Sequence, residues 1–445
     1  MVTVIEPRLG LLLVVPAVPF GSVWQVNLGV VNVGATEVLV GLVLAAWFMR
    51  MVARRTLGVS RPPLALPLAI FLGILCLSAL GTTSLQYSLK EIVKWVEVLA
   101  VYLFVANEVD AQWSKALVFV ILSTGALAAL QGMYQFLLQA GPVGFVLFGR
   151  FLRAYGTFEQ PNPYAGYLGL TLPLAAGLVV AAMVSVGRRV RGRWLIWAAG
   201  TGTLMLIAVV MSWSRGAWLG VAAAAIAMFA AVVARSGRVV LLGVLFTFIV
   251  VYALLVGGVS LAPSAVVQRF ADFLPYLGVT DVIGVEVTDA NFAVLERMAH
   301  WQSALEMWKD HPWLGVGIGN YESVYAQYAL PLWALPLGHA HNYYLNIAAE
   351  AGFLGLATYL LLWGAALLVS WRATRRATGW HWGVALGVFG ILVHLSVHNI
   401  FDNLFVHGMY LHVAILLGIG MADWKDRVDS TGAPFSIPLP AWRLH

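Results

Sequence analysis

Charge is what this chain has least of. Only 10% of its 445 residues are Asp, Glu, Lys or Arg, while 61% are hydrophobic and the mean hydropathy is +0.86. Soluble globular domains carry about 25% charged and about 45–50% apolar residues, so an ordinary soluble globule is excluded and a polytopic membrane protein remains. The single cysteine, Cys76, sits inside an apolar run, which excludes an internal disulfide and a cysteine metal cluster and leaves the redox compartment unreadable. Low-complexity tracts and internal repeats are missing. So is a Walker lysine: Gly315-Val316-Gly317-Ile318-Gly319 follows a helical pattern and not a strand, so it reads as a flexible turn instead of a nucleotide cradle. There is no Asp-x-Asp pair of the kind that holds a metal for a nucleotide sugar.

What is present is a series of apolar runs. Stretches near 9–26, 34–50, 64–81, 88–106, 116–138, 163–186, 194–212, 216–234, 239–260, 342–370, 381–400 and 404–422 are of membrane-crossing length, about twelve in all. Backbone groups in hydrocarbon must be satisfied internally, and no alternating barrel pattern is visible, so the expected fold is all-α. The first run, Leu9 to Phe20, follows only Arg8 and lacks a cleavage site, so it reads as retained. It is short for a span and either extends to Val26 or re-enters.

The formal net charge of +6 and pI near 9.4 would suggest nucleic acid in a soluble chain. Here the basic residues collect in short loops, around Arg50 to Arg61, Arg188 to Arg193, Arg235 to Arg238 and Arg372 to Arg376, as topogenic signals do. A nucleic-acid partner is not expected. These loops fall on one side of the alternating path, which the positive-inside rule makes cytoplasmic. The opposite, outer face then receives the loop around 139–162, the turn at Ser212 to Gly216, the long loop 261–341 and the turn near Phe401. The expected division is N-terminal helices over 1–260, an outer-face loop over 261–341, C-terminal helices over 342–422 and a cytoplasmic tail over 423–445.

The long loop is too polar to span and too long for a plain connector. Val294, Leu295, Met298, Trp301, Leu305 and Trp308 recur at three- and four-residue steps, the pattern of an amphipathic helix that lies along the interface and ends at Asp310-His311-Pro312. At the end of the loop, His339 and His341 stand directly before a new apolar run. Their i, i+2 spacing is not that of a helical zinc pair, and no other His, Cys and carboxylate cluster completes a site, so proton handling or hydrogen bonding to a substrate is expected over metal binding. The plain alternative is two solvated loop histidines.

Arg215 lies between two apolar helices joined by almost no loop, where an ionisable group is a functional candidate and snorkelling to headgroups the alternative. Arg297 falls on the polar side of the amphipathic helix, with a surface pair to Glu296 as its alternative. Arg150 and Arg153 precede a turn-rich stretch, Tyr155 to Tyr164, that opens a helix whose N–H groups can hold an anion. Lys90, Glu91, Lys94 and Glu97 are explained by pairing along a helix. His398, Asn399, Asp402, Asn403 and His407 surround the last outer turn, where capping and inter-helix hydrogen bonding are expected.

Four segments together resemble the O-antigen ligase and O-antigen polymerase superfamily of bacterial membrane glycosyltransferases. They are Gly156-Thr157-Phe158-Glu159-Gln160-Pro161-Asn162-Pro163-Tyr164-Ala165-Gly166, Ser214-Arg215-Gly216-Ala217-Trp218, Asp310-His311-Pro312-Trp313-Leu314-Gly315-Val316-Gly317, and His339-Ala340-His341-Asn342-Tyr343-Tyr344-Leu345 followed by Glu350-Ala351-Gly352. The resemblance implies a GT-C-like membrane enzyme that moves a glycan from a polyprenyl pyrophosphate carrier to an acceptor hydroxyl, at the outer face of the bacterial cytoplasmic membrane. The acceptor is lipid A core in ligases and a carrier-linked repeat unit in polymerases. It implies His341 as the reactive histidine with His339 as companion, and Arg215 and Arg297 as arginines that hold the diphosphate. Arg153 is expected to join them. Glu159 and Glu350 are reserve candidates for the base, and Asn162 and Asn342 are secondary candidates within the same motifs. No metal and no cofactor are expected, and inversion at the anomeric carbon is. A solute transporter stays open as the alternative of a different class, although polar residues concentrated at one face favour interfacial catalysis.

Overall fold

A computed structural model describes residues 6–21, 25–28, 31–55, 58–184, 190–235, 267, 269, 281–288 and 291–420. Numbered along these residues, the N-terminal helices are α1 (Pro7–Phe20), α2 (Ala35–Ala53), α3 (Ala65–Ser78), α4 (Leu85–Glu108) and α5 (Ala111–Leu138). There follow α6 (Pro161–Gly169), α7 (Leu172–Val184), α8 (Val190–Met211) and α9 (Arg215–Arg235). The remainder are α10 (Phe292–Asp310), α11 (Tyr321–Tyr328), α12 (Tyr343–Arg376), α13 (Gly379–His398) and α14 (Met409–Ile419). Strand structure among the described residues is confined to two short antiparallel hairpins, β1 (Gln25–Leu28) with β2 (Val31–Gly34) and β3 (Val146–Leu147) with β4 (Phe151–Leu152). The chain is an all-α polytopic membrane protein.

Among the described residues, seven helical stretches are long and apolar enough to cross a membrane: Ala35–Ala53, Ala111–Leu138, Pro161–Val184, Gly192–Met211, Arg215–Arg235, Tyr343–Arg376 and Gly379–His398. Seven of the about twelve expected spans are thus accounted for among the described residues. The stretch 239–260 and the tail 423–445 lie outside the described residues. α4 is long enough at 24 residues but carries Lys90, Glu91, Lys94 and Glu97. α3 and α14 are shorter apolar helices. α1 does not run on to Val26: with Pro16 and Pro19 each lacking an N–H donor it ends at Phe20, and Val26 pairs with Val33 in the hairpin. Its 14 residues reach about 21 Å, short of the roughly 30 Å hydrocarbon layer.

The helix ends sort into two groups. At one end Arg50 on α2 pairs with Glu6 at 3.2 Å, Arg8 on α1 reaches Asp110 at 3.5 Å, and Asp110 caps α5 through the Gln112 and Trp113 N–H groups. Close helix contact follows from small residues. α7 crosses α13 so tightly that a Cβ on Gly177 would lie 2.3 Å from the Gly383 carbonyl oxygen, the small-residue packing that replaces a hydrophobic driving force in lipid.

At the other end the long loop is fastened to α12. α12 is kinked at Gly352 (φ 64°, ψ −162°), a conformation essentially reserved for glycine. The kink admits the loop: Phe353 N–H donates to the Pro312 carbonyl at 2.8 Å, Val316 N–H to Ala349 and Gly317 N–H to Glu350. Gly315-Val316-Gly317-Ile318-Gly319 is thus a packed clasp and not a flexible turn. Substituting Gly352 with alanine is expected to destabilise the protein by more than the roughly 1–3 kcal/mol of the backbone strain alone, because the added Cβ would also sit 2.3 Å from the Trp313 carbonyl carbon. Thermal unfolding in detergent reads this out, and an unchanged midpoint would show that the kink is dispensable.

α10 forms where the periodicity expects it and ends at Asp310. Its buried face is different, however. Leu295, Ala299, Ser303 and Met307 face inward while Leu305 is 38% exposed and Trp308 half-buried. Small Ala299, Ser303 and Ala304 let α10 lie close to its neighbours, which an apolar count weighted towards Leu and Trp overlooks.

Candidate active site

Two separate stretches converge on the turn between α8 and α9. The backbone of Trp213 is left-handed (φ 53°), and Arg215 follows as the first residue of α9. Arg153 crosses from the β4 hairpin to this turn, donating from Nε to the Ser212 carbonyl at 2.9 Å and from Nη2 to Asn162 Oδ1 at 2.8 Å. Arg215 Nη1 donates to the Arg269 carbonyl at 3.2 Å, and Arg269 Nε reaches back to the Trp213 carbonyl at 3.4 Å. Arg215, Arg269 and Arg297 then line one cleft together with Asn162, Trp301 and Asp402.

Three guanidinium groups face a single lining carboxylate, Asp402, so the cleft is electropositive. Burial, and after it the neighbouring Arg269, Arg297 and Arg215 charges, push Arg153 well below the ordinary arginine range, with Asp402 opposing. Arginine keeps its proton in proteins, so the crowding is a measure of how strongly the site would gain from an anion. Arg297 Nε is buried without a hydrogen-bond partner among the described residues, a donor in want of an acceptor. Arg269 escaped the motif reading because it stands alone in the long loop. Its placement on the same face as Arg215 and Arg297 was the one signal available.

The imidazoles meet the cleft through Asp402, which lines it. His341 is held left-handed (φ 51°) just before α12, whose N-terminus Asn342 caps by accepting from Tyr344 and Leu345 N–H. Its backbone N–H donates to His339 Nδ1 at 3.0 Å, and Trp301 Nε1 donates to its carbonyl at 3.3 Å. Strain of this kind persists where the surroundings over-determine it. The His341 Nδ1 atom lies 3.6 Å and the His339 Nε2 atom 3.9 Å from Asp402 Oδ1. Burial alone would raise the Asp402 carboxyl, but His341, His339 and Arg297 together outweigh it and hold the carboxyl far below the usual range. Burial, then the His341 charge, push His339 down to about 3, so it is neutral at physiological pH. The polar residues of this turn are expected to cap and to hydrogen-bond between helices; the turn between α13 and α14 brings Asp402 to both imidazoles.

The remaining candidates divide. Asn162 joins the cleft as the partner of Arg153. Asn342 is occupied as a helix cap. Glu159 is exposed, lines neither His341's neighbourhood nor the arginine cleft, and acts on His407. Glu350 is buried and accepts from the Tyr321 N–H at 3.1 Å, fixing the start of α11. Arg150 stacks over Phe151 at the rim. His300, which carried no motif, stacks on Tyr325, bonds the Tyr321 hydroxyl at 2.8 Å and backs His341 at 5.6 Å between ring centroids. Burial, then His341, lower it to about 4.

Loops and turns far apart in sequence therefore share one site, spanning the segments that carry the resemblance. Residues 200–360 match the family model Wzy_C, O-antigen ligase. Over that stretch the chain is similar to O-antigen ligases. The matched region holds Arg215, Arg269, Arg297, His339 and His341, whereas Arg153, Asn162 and Asp402 lie outside it. Its apolar helices make the chain a multi-pass membrane protein, within which residues 200–360 are similar to O-antigen ligases. No curated protein matches the chain.

The O-antigen ligase region also brings His339 and His341 to Asp402 with ligand atoms all within 4.8 Å of one another, a geometry that could hold a metal ion. The sequence reading found no third ligand because Asp402 is contributed by a distant turn.

Proposed function

We propose that the chain transfers a glycan from a polyprenyl pyrophosphate carrier to an acceptor hydroxyl, at the outer face of the bacterial cytoplasmic membrane, without a metal. The observation that carries this reading is the junction of an arginine-lined cleft with an imidazole–carboxylate pair through Asp402. Residues 1–260 and 342–422 form the membrane body in a GT-C-like arrangement, 261–341 the outer loop and 423–445 a cytoplasmic tail.

The diphosphate sits against Arg215, Arg269 and Arg297, with Arg153 behind them. Their permanent charge and forked donors suit phosphate oxygens. With His341 Nδ1 turned to Asp402, Nε2 is left to take a proton. The acceptor O–H gives its proton to Nε2 as its oxygen bonds the anomeric carbon. The bond from that carbon to the phosphate oxygen breaks, the electron pair leaves with the diphosphate, and the arginines meet the new charge. Asp402 steadies the imidazolium, and in-line attack inverts the anomeric centre. Next to Arg297 a divalent cation at His339, His341 and Asp402 would face like charge. Transfer is expected to survive a chelator; loss on chelation and recovery with a metal would assign the cluster to metal binding.

The test is purified protein with a carrier-linked glycan, following release of polyprenyl pyrophosphate and the destination of the glycan. Chain growth on the carrier identifies a polymerase and transfer off it a ligase, while solute movement without release identifies a transporter.

A further inference from the structure

α12 is longer than a bilayer requires. Its 34 residues end in a basic run, Arg372, Arg375 and Arg376. A hydrocarbon layer takes about 20 helical residues, so counting back from that basic end puts the opposite boundary at the Gly352 kink. The residues beyond the kink carry the clasp and α11 instead of lipid: the Val316 and Gly317 N–H groups bond the Ala349 and Glu350 carbonyls, and the Tyr321 N–H bonds the Glu350 carboxylate. α3 stops at the same level, where the Ser78 hydroxyl meets the Leu314 and Glu350 carbonyls at 2.9 and 2.8 Å. Between the kink and the basic end one face of α12 is bare. Phe353, Leu360, Leu361 and Leu368 recur there at helical spacing, all of them exposed, as a stripe that meets lipid in a membrane-crossing helix.

The stripe continues off α12 onto the clasp. The Pro312 carbonyl that accepts from the Phe353 N–H also accepts from the Trp308 indole N–H at 3.3 Å, and the Trp313 ring stands edge-on to the Phe353 ring with centroids 6.1 Å apart. Trp313 is 66% exposed. Trp308, Pro312, Trp313 and Phe353, with Lys309, therefore line a shallow apolar hollow at the height where the span meets the polar loop. α10 does not lie flat on lipid as its periodicity suggests, because Leu295, Ala299, Ser303 and Met307 are turned into the protein. It has its end to offer.

We propose that Trp308, Trp313 and Phe353 form a membrane seat that holds the C-terminal end of α10 at the headgroup boundary of the leaflet on this side, with phospholipid as the partner. Indole suits that boundary, being an apolar ring with one polar N–H, and tryptophan is enriched there. Lys309, paired with Glu306, can lay its stem along the hollow and keep its ammonium group among the phosphates. A protein partner would have to cover a patch continuous with the lipid-facing stripe of α12. The seat also bears on the cleft, since α10 carries Arg297 and Trp301 into it. Trp308 lies about 16 Å along the helix from Arg297, so the seat sets the height of that arginine over the lipid. This holds whatever the cleft binds.

The experiment uses the full chain in nanodiscs, with the exposed Cys76 replaced by serine and one fluorophore-bearing cysteine placed in turn at Trp313, Phe353, Leu361 and Glu322. Quenching is compared for phospholipids with a nitroxide near the headgroup or near the chain end, and for iodide in the water. The Trp313→Cys and Phe353→Cys labels should be quenched at least about twofold more by the shallow nitroxide than by the deep one, as for a group about 5–10 Å into the headgroup and acyl boundary. The Leu361→Cys label should show the reverse order, and the Glu322→Cys label, in the first turn of α11, should answer to iodide alone. A Trp313→Cys label quenched by iodide alone overturns the proposal, and so does one that follows the Leu361 order. Shielding from iodide and both nitroxides overturns it too, because a second copy or another protein would then cover the patch. Lys309→Cys, exposed at the same hollow, gives the same reading should the Trp313 variant fail to fold.

Discussion

His341→Ala is expected to slow glycosyl transfer about 10²–10⁴-fold, the usual contribution of a positioned general base, while the carrier-linked donor still binds. The expectation comes from placement. His341 is the imidazole nearest Asp402, both its ring nitrogens are buried without a hydrogen-bond partner among the described residues, and its backbone is locked between His339 and the cap of α12. His339 is already engaged through Nδ1 and is neutral, so His339→Ala should act by loosening the loop and cost less. Steady-state rates at saturating donor separate the two. Full activity in His341→Ala together with its loss in His339→Ala would transfer the role of base to the other ring.

Alanine at Arg215 or Arg297 is expected to cost about 10²–10³-fold in turnover, the range for removing one fixed donor from a developing oxyanion, and to weaken donor binding as well. Both effects should appear together because the diphosphate is charged before reaction and more so in the transition state. Lysine at Arg215 should restore part of the loss, since charge returns without the fork that spans two phosphate oxygens. Arg269→Ala should behave like the other two because it lines the same cleft and is bonded through its backbone to Arg215. Unaltered donor affinity and turnover in a folded Arg215→Ala protein would leave the cleft without its assigned ligand.

Much of this site is legible in the sequence for a simple topological reason. Alternating apolar runs fix which loops share a membrane face, so Arg153, Arg215, Arg297 and His341 could be grouped before any distance was known. What alternation cannot fix is which residues of one face touch. Asp402 sits in a turn whose polar residues all suit capping, and Asn399 does cap there, accepting from the Leu404 N–H; only the packing of α13 against α12 singles out Asp402. Glu350 is visible in sequence only as a reserve candidate for the base; its buried place comes from the Gly315 to Gly319 clasp and α11 laid over it. Of the expected membrane path, the first run ends early because hydropathy sees length and not backbone breaks, as the prolines of α1 show. The inner face of α10 was misdrawn because close packing there favours Ala and Ser.

The central claim, that the arginine cleft and the His341–Asp402 pair are one site, is tested most directly by a single turnover. Purified protein is loaded with carrier-linked glycan, then mixed with acceptor, and released polyprenyl pyrophosphate is followed in wild type, Arg215→Ala and His341→Ala. The account predicts one rapid release in wild type, a His341→Ala protein that stays loaded but does not release, and an Arg215→Ala protein that fails to load. Release from His341→Ala at the wild-type rate, or full loading and release by Arg215→Ala, would contradict it.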